Sequence, residues 1–311
     1  MIISNCPYRF IYYLCRRFEN PLLKMNKLNG LLYGIISSAS FGLIPLFAIP
    51  AMQHGMDFMN VISYRFLFAT IALAVLLKIR KVPFSIEKSD LPTLLLLSFF
   101  YLISSVFLLW GYKFMPSGVA TTIHFMYPVI TTLVMMLFFH EKNSLFRTLA
   151  ILMAIGGVYA LSYSDSQGET NMLGVIIVLI SAVGYALYLV TVGQRKNQSL
   201  KGLKLTFYVF LFSTVILLAG MSSTGNLHSI PDLTTAGNLL LLAIIPTIVS
   251  NLTLIEAIKY IGATQTSVLG AMEPVTAVIV GIAVFGEAFT FTIAVGIILI
   301  ISAVTIIILK R

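Results

Sequence analysis

Apolar runs of about 20 residues recur along the whole chain, roughly the length that a helix needs to cross the hydrocarbon core of a bilayer. Only 10% of the 311 residues are charged, against roughly 25% in soluble domains. Runs exposed to lipid must satisfy their backbone hydrogen bonds internally, so we expect an all-α integral membrane protein. We predict ten spans, at residues 29–51, 58–77, 91–112, 117–139, 145–163, 172–193, 205–221, 236–258, 262–286 and 289–309.

The basic residues predict the orientation of these spans. All but two of the 20 lysine and arginine residues fall on one side of the predicted membrane, and the exceptions are Lys113 and Arg65. Such an excess marks the cytoplasmic side, so we predict a multi-pass protein of the bacterial cytoplasmic (inner) membrane with both termini inside. The basic residues form short clusters between apolar runs rather than one basic face, so we expect no nucleic-acid partner.

The N-terminal segment, residues 1–28, is predicted to be a cytoplasmic tail. It lacks a signal-peptide pattern, and the sequence from Met25 resembles an ordinary bacterial start, so residues 1–24 are expected to be an untranslated extension. Cys6 and Cys15 both lie in this tail and predict neither a disulfide framework nor a metal site. The chain has no Walker-type phosphate loop and no His-Glu-x-x-His motif, so we expect no cofactor, no metal and no ATP-driven pump.

An internal repeat divides the chain into two copies of a five-helix unit. A shift of 146 residues aligns "FMYPVITTLVMMLFFHE" with "AMEPVTAVIVGIAVFGE", which pairs Pro128 with Pro274 and Glu141 with Glu287. We therefore predict a first repeat at 29–163 (helices 1–5) and a second at 171–309 (helices 6–10). An odd number of spans in each copy inverts the second copy in the membrane, an arrangement common in secondary transporters.

The proline-to-glutamate spacing in both copies and the 5+5 span count resemble the EamA family of the drug/metabolite transporter superfamily. The resemblance covers residues 28–311. It implies a basket-shaped inverted repeat with a central cavity, walled mainly by helices 1, 3, 4, 6, 8 and 9, that exports or exchanges small metabolites.

Glu273 is the leading candidate for a functional residue, because it lies near the middle of the ninth predicted span. A charge at that depth costs about 2.5–3.5 kcal/mol on insertion scales, which favours a cavity or a partner. Glu273 either binds a substrate amine or a proton, or is a protonated acid bonded to a neighbouring helix beside a kink. Pro274, and Pro128 in the first copy, are predicted to kink their helices and free backbone carbonyls.

Three further candidates are His124, Tyr127 and Glu256. Tyr127 is the repeat mate of Glu273, and His124 lies one turn before it, so this pair would face the same cavity from the other half. His124 could equally be hydrogen-bonded between helices without a transport role. Glu256 is predicted near the cytoplasmic end of helix 8, where water and Lys259 could satisfy it.

Arg65, Tyr185 and Tyr188 complete the candidates for substrate or proton binding. Arg65 could hold a substrate carboxylate or extend to the outer headgroups. Tyr185 and Tyr188 could line a cavity for planar or amphipathic solutes or serve only in packing.

These features predict a secondary active transporter of small polar metabolites by alternating access, exporting amino acids or related compounds. Its partners would be a small-molecule metabolite and the lipid bilayer, with coupling to protons and a monomeric or weakly dimeric state. An alternative is uptake or antiport of a nucleotide, vitamin or nucleotide-sugar. An intramembrane enzyme or lipid-handling protein would need catalytic groups at one depth, whereas Glu273, Glu256 and His124 are expected at different depths.

Overall fold

The computed structural model describes residues 21–138, 144–162, 172–193 and 202–309, and these residues contain helices and no β-strand. Most of the predicted tail, Glu141 and the loop at 164–171 lie outside the described residues. The α-helices are α1 (Pro21–Gly42), α2 (Ile44–Gln53), α3 (Phe58–Ile79), α4 (Leu91–Gly111), α5 (Ser117–His124), α6 (Tyr127–Phe138), α7 (Leu145–Ser162), α8 (Met172–Gly193), α9 (Leu203–Thr224), α10 (Leu233–Ala243), α11 (Ser250–Leu269), α12 (Met272–Phe285) and α13 (Phe291–Leu309). A 3₁₀ turn at Lys88–Asp90 precedes α4, and a π-helical segment at Ile244–Val249 joins α10 to α11.

Seven helical stretches among the described residues are long and apolar enough to cross a membrane, judged by length and composition. Three shorter apolar helices, Thr148–Leu161, Met272–Phe285 and Phe291–Ile306, correspond to the predicted fifth, ninth and tenth spans. The prediction of an all-helical membrane protein is confirmed, and the number of ten spans stays a prediction. Helix α1 begins at Pro21, eight residues before the first predicted span.

The distribution of side chains is that of a bilayer protein. Large apolar side chains are exposed around the outside, such as Ile71, Leu152 and Ile298. Hydroxyl groups are buried inside, and several donate to the carbonyl four residues back in their own helix, as Ser98 does to Leu94 at 2.7 Å. Lipid can cover the apolar exterior, whereas a hydroxyl in the interior needs an acceptor within the protein.

Two of the predicted spans are interrupted just before a proline. Helix α5 ends at His124 and α6 starts at Tyr127, with Pro128 in its first turn. The chain likewise turns at Gly270 and Ala271 before α12, with Pro274 in the first turn. Proline fits the first turn of a helix because its missing N–H has no partner there, but it cannot continue a preceding helix.

The contacts of α1 show that the chain reverses direction within α11. Ser37 of α1 donates to the Ser250 carbonyl at 2.8 Å, whereas the earlier Gly30 packs against Ile261. Beyond α11, the backbone of Glu273 packs against Gly42, at the other end of α1. The chain therefore passes along α1 in one direction up to Ile261 and in the other direction afterwards. This reversal lies where the sequence predicts the boundary between spans 8 and 9.

Close packing in the bundle depends on small residues. Helices α7 and α13 meet at Gly157, where a Cβ atom would lie 2.7 Å from Ile300 Cγ1 and 3.0 Å from the Gly296 carbonyl oxygen. Helices α3 and α9 meet through the Thr70 and Thr214 hydroxyls, 3.1 Å apart, and the stacked rings of Phe66 and Phe210. Glycine, serine and threonine at such contacts let helix backbones approach closely in lipid.

We expect Gly157→Ala to destabilise the protein by about 1–3 kcal/mol, because the added methyl group overpacks the contact between α7 and α13. Its neighbour Gly156 has no atom within 4 Å of the position a Cβ would take, so Gly156→Ala is the matched control. Thermal unfolding followed by circular dichroism in detergent should show a lower midpoint for Gly157→Ala only. Equal midpoints for the two variants would contradict close packing at this position.

Candidate functional site

A cavity of about 100 Å³ lies among α1, α6, α8, α11 and α12. Its polar lining consists of hydroxyl, amide and carboxyl groups, from Ser37, Ser38, Ser250, Asn251, Thr266 and Glu273. Its other walls are aromatic and aliphatic, from Phe41, Tyr127, Tyr185, Leu189, Leu254 and the backbone of Gly270. The cavity thus combines an apolar wall with a few converging polar groups, which is typical of small-molecule sites.

Glu273 is held in the first turn of α12, directly after the break at Gly270 and Ala271. The free N–H groups of a helix N-terminus favour a carboxyl group at this position. The absence of a side chain at Gly42 allows α1 to approach, since a Cβ there would lie 2.5 Å from the Glu273 carbonyl oxygen. The break and this contact together fix the residue at the wall of the cavity.

The Glu273 carboxyl is buried and incompletely hydrogen-bonded. Only 8% of the residue is exposed, and Oε1 lies 3.5 Å from the Tyr127 hydroxyl, which donates to it. Oε2 has no hydrogen-bond partner among the described residues. A buried polar atom without a partner is costly, so this oxygen can gain free energy from a proton or from a donor on a bound ligand.

Aromatic rings surround the carboxyl on one side. The Tyr127 and Tyr185 rings are 4.6 Å apart between centroids and nearly perpendicular, and Phe41 lies 6.4 Å from Tyr185. Tyr188 stacks on Tyr185 at 5.8 Å and also contacts Tyr101, so it lies behind the wall rather than in it. Of the two tyrosines predicted on helix 6, Tyr185 lines the cavity and Tyr188 supports it.

His124 is fully buried beside this wall and does not line the cavity. Its ring lies between Phe41, Tyr127 and Tyr185, with centroid distances of 6.3, 5.7 and 5.6 Å. The Ser181 hydroxyl donates its one proton to the Ser104 carbonyl at 2.5 Å, so it accepts from His124 Nδ1 at 2.9 Å. Nε2 of the neutral ring is then an acceptor, and it has no partner among the described residues.

Glu273 and His124 are closer than the sequence suggests. Tyr127 contacts the Glu273 carboxyl with its hydroxyl and the His124 imidazole with its ring. Both titratable groups therefore contact the same tyrosine, because the break before α6 places His124 behind Tyr127 at the cavity wall. Their separate depths in the bilayer stay a prediction.

Arg65 and Glu256 do not line the cavity. Arg65 is 1% exposed, and its Nε donates to Thr247 Oγ1 at 2.8 Å, so the side chain points into the bundle rather than towards lipid headgroups. Thr247 lies in the π-helical segment and donates to the Leu242 carbonyl at 2.9 Å. Glu256 is half-buried on α11, and the side chain of its predicted partner Lys259 lies outside the described part of the structure.

The cavity also contains residues that sequence reasoning missed. Ser37, Ser38 and Phe41 come from "ISSASFG" on α1, for which the sequence indicated no function. Ser37 donates to the Ser250 carbonyl, which joins α1 to α11 at the cavity wall. Small hydroxyl residues are common in membrane helices, so their types alone do not reveal which face they occupy.

A second carboxyl, that of Glu287, lies just beyond the C-terminal end of α12. Its Oε1 accepts from the Ser117 backbone N–H at 2.6 Å and from the Ser117 hydroxyl at 2.7 Å, and its Oε2 accepts from the Gly118 N–H at 3.3 Å. These N–H groups form the N-terminus of α5, where carboxylates bind favourably. Glu287 therefore ties α12 to α5 at the end of α12 opposite to the cavity.

A larger cavity of about 650 Å³ lies between the start of α3 and the end of α9. Asn60 in its lining donates to the Asn226 carbonyl at 3.1 Å and accepts from the His228 N–H at 3.0 Å. Asp57, also in the lining, caps α3 and binds Lys113 at 2.9 Å. Partial burial raises the pKa of Asp57, but Lys113 and the Met59 N–H more than offset this, so the pKa lies below its ordinary value.

Comparison with known proteins agrees with the resemblance seen in the sequence. The sequence model of the EamA-like transporter family matches residues 28–163 and again residues 172–309. An uncharacterized transporter of Synechocystis sp. is 32% identical over 195 residues, covering 60% of this chain and 57% of that relative. An uncharacterized transporter of Archaeoglobus fulgidus is 24% identical over 269 residues, covering 85% of this chain and 94% of that relative.

A crystal structure of a protein only 17% identical in sequence has the same fold, with a TM-score of 0.65 over 91% of this chain and 99% of the other chain. The two family matches together extend over nearly all of the described helices. The chain therefore belongs to the EamA-like transporter family and is a multi-pass membrane transporter.

Proposed function

We propose that the protein is a secondary active transporter of small polar metabolites and that Glu273 is its central binding group. The observation that carries this proposal is the buried carboxyl oxygen of Glu273, which lines a cavity and has no partner among the described residues. A structural carboxyl in lipid is expected to complete its hydrogen bonds within the protein. One that keeps a free acceptor in a cavity is suited to binding and releasing a ligand or a proton.

Two inverted copies of five spans each would allow the binding site to open to the two sides of the membrane in turn. Ser37 donates to the Ser250 carbonyl, and Ser181 donates to the Ser104 carbonyl. The two donors are 144 residues apart and the two acceptors are 146 residues apart, close to the shift of 146 residues that relates the repeats. These matching hydrogen bonds support a pseudo-two-fold relation between the halves, in a basket-shaped bundle of ten spans. Two halves related in this way can rock around a site between them.

Contacts between residues at equivalent places in the two copies support the position of the pseudo-axis. Tyr127 contacts its repeat mate Glu273, 146 residues later, and Thr70 contacts Thr214 at a similar separation of 144 residues. Such self-pairs occur where an axis passes between two copies. The Glu273 site would therefore lie at the interface of the repeats, where secondary transporters bind their substrates.

The contact between Glu287 and α5 would close the outer side of the bundle. With both termini in the cytoplasm, α12 runs outward from Glu273, so Glu287 would bind the N-terminus of α5 on the outer side. The cavity would lie in the inner half of the bundle. In this arrangement the outer path is closed by α5 and α12, and a cavity on the inner side suits loading for export from the bacterial cytoplasm across the inner membrane.

The size and lining of the cavity favour a small solute. Sites for drug-sized ligands occupy about 300–1,000 Å³, whereas this cavity is about 100 Å³. The described lining residues include no lysine or arginine that could bind a phosphate. Amino acids or related compounds therefore fit better than nucleotides, vitamins or nucleotide-sugars. The relatives' names as transporters likewise favour transport over an intramembrane enzyme.

We expect Glu273→Gln to reduce transport at least about tenfold, equivalent to about 1.4 kcal/mol, and to remove its dependence on pH. The amide keeps the shape of the side chain but can neither release a proton nor carry a negative charge. The solute would be found by comparing metabolites inside and outside deletion and overexpressing strains, and its flux would be measured in proteoliposomes. Glu87→Gln, the same change in an exposed loop, is the control, and an unchanged rate and pH profile in Glu273→Gln would exclude this role.

We expect Glu287→Ala to open the outer end of α5. Hydrogen bonds to charged groups contribute about 1.5–3 kcal/mol each, so amide hydrogen exchange at Ser117 and Gly118 should accelerate about tenfold or more. Mass spectrometry of peptides containing these residues would measure the exchange, with peptides from α3 as an internal reference. Uniformly faster exchange in both regions would indicate general unfolding instead, and unchanged exchange at Ser117 and Gly118 would refute the closure.

A further inference from the structure

We infer that the central cavity selects small organic cations, namely ammonium compounds without a carboxylate, and exchanges them for protons at Glu273. This inference rests on the proposed transport function and narrows its substrate class from small polar metabolites to amines. It depends on the charges, hydrogen-bonding groups and rings at the cavity wall.

The lining is acidic and rich in hydrogen-bond acceptors. Glu273 is the charged residue among the described lining residues, and they include no lysine, arginine or histidine. The Ser37 hydroxyl donates its proton to the Ser250 carbonyl, and the Tyr127 hydroxyl donates to Glu273, so both offer mainly lone pairs to a ligand. An ammonium group, which has only donors, complements such a wall.

The rings next to the carboxyl provide a second means of recognising a cation. Tyr127 and Tyr185 are nearly perpendicular at 4.6 Å and form a corner, with Phe41 beside Tyr185. Cations are attracted to aromatic faces, and the attraction strengthens when the site is desolvated. A carboxyl group and an aromatic corner together would bind a methylated or alkyl ammonium ion.

A substrate carboxylate has no comparable partner at the cavity. Arg65 is the buried cation expected to serve this role, but it donates to Thr247 and does not belong to the lining. The Asn251 amide of the lining already donates to the Thr247 carbonyl at 2.6 Å. A zwitterionic amino acid would therefore bury its carboxylate without a charged partner, which is unfavourable in a dry site.

Proton exchange follows from the surroundings of Glu273. The titratable groups facing it are the phenols of Tyr127 and Tyr185, with Tyr101 and His124 behind them. The described elements packed against it, α1 and α5 included, place no lysine, arginine or second carboxyl there. A proton and an ammonium ion would each neutralise the same carboxylate. When the O–H bond breaks and the proton leaves to water, one monovalent cation takes its place, so the exchange is electroneutral.

The size of the cavity limits the compounds that can be used to test binding. Liquid water occupies about 30 Å³ per molecule, so a cavity of about 100 Å³ holds a ligand of few heavy atoms. Glycinamide with glycine, and alaninamide with alanine, are pairs equal in heavy-atom number that differ in having an amide or a carboxylate. Tetramethylammonium adds a cation that cannot lose a proton, so its pH dependence reports on the protein alone.

The test is isothermal titration calorimetry of the purified full-length protein with these probes at about pH 6.5, below the ordinary pKa of an α-amino group. We expect the amides to bind at least about tenfold more tightly than their amino acids. Tetramethylammonium should bind less tightly as the pH falls, because protons compete for Glu273. Glu273→Gln should lose both the preference and the pH dependence, whereas Glu87→Gln should keep both.

Variants of Tyr185 keep the test valid if Glu273→Gln fails to fold. Tyr185→Leu removes the ring and should weaken tetramethylammonium binding about tenfold, whereas Tyr185→Phe keeps the ring and should bind within about twofold of wild type. Equal or tighter binding of alanine, or no binding of alaninamide and tetramethylammonium, would overturn the inference. If the inference fails but amino-acid flux depends on Glu273, the proposed transport function still holds. If cations bind as expected but no solute crosses the membrane of the proteoliposomes, the proposed transport function is wrong and the cation site remains.

Discussion

The whole structure depends on one constraint, the absence of water around polar groups in the hydrocarbon core. Backbone groups are satisfied within helices, and buried hydroxyls donate to carbonyls of their own or a neighbouring helix, as Ser98 and Ser181 do. Against that background, an acceptor without a partner is informative. Three buried side-chain atoms among the described residues have no partner, namely Glu273 Oε2, His124 Nε2 and Thr131 Oγ1. The first two belong to side chains that contact Tyr127.

Much of the fold follows from the sequence because membrane spans leave a strong signal in composition. The apolar runs predict the helices, and Pro128 and Pro274 indicate where two of them break. The chain reversal near Ile261 was also predictable, since it lies at the boundary between predicted spans 8 and 9. The start of α1 at Pro21 was not predictable, because a polar segment can extend a helix beyond the membrane.

The site was predictable in part. Glu273, Tyr127 and Tyr185 were found because an acid in mid-span and an internal repeat single them out. Ser37, Ser38 and Phe41 were missed, since a helix that is apolar on nearly every side gives little periodicity to show which face meets a cavity. The direction of the Arg65 side chain could not be predicted either, because its partner Thr247 lies 182 residues away in a π-helical segment.

Helix α12 carries one carboxyl near its start and another just beyond its end. Its 14 residues span about 21 Å at 1.5 Å per residue. A helix of this length behaves as a stiff rod, so a tilt that moves Glu273 at one end displaces Glu287 at the other in a fixed proportion. In the proposed mechanism, occupancy of the cavity and closure of the far side would thereby be coupled mechanically through this one short helix.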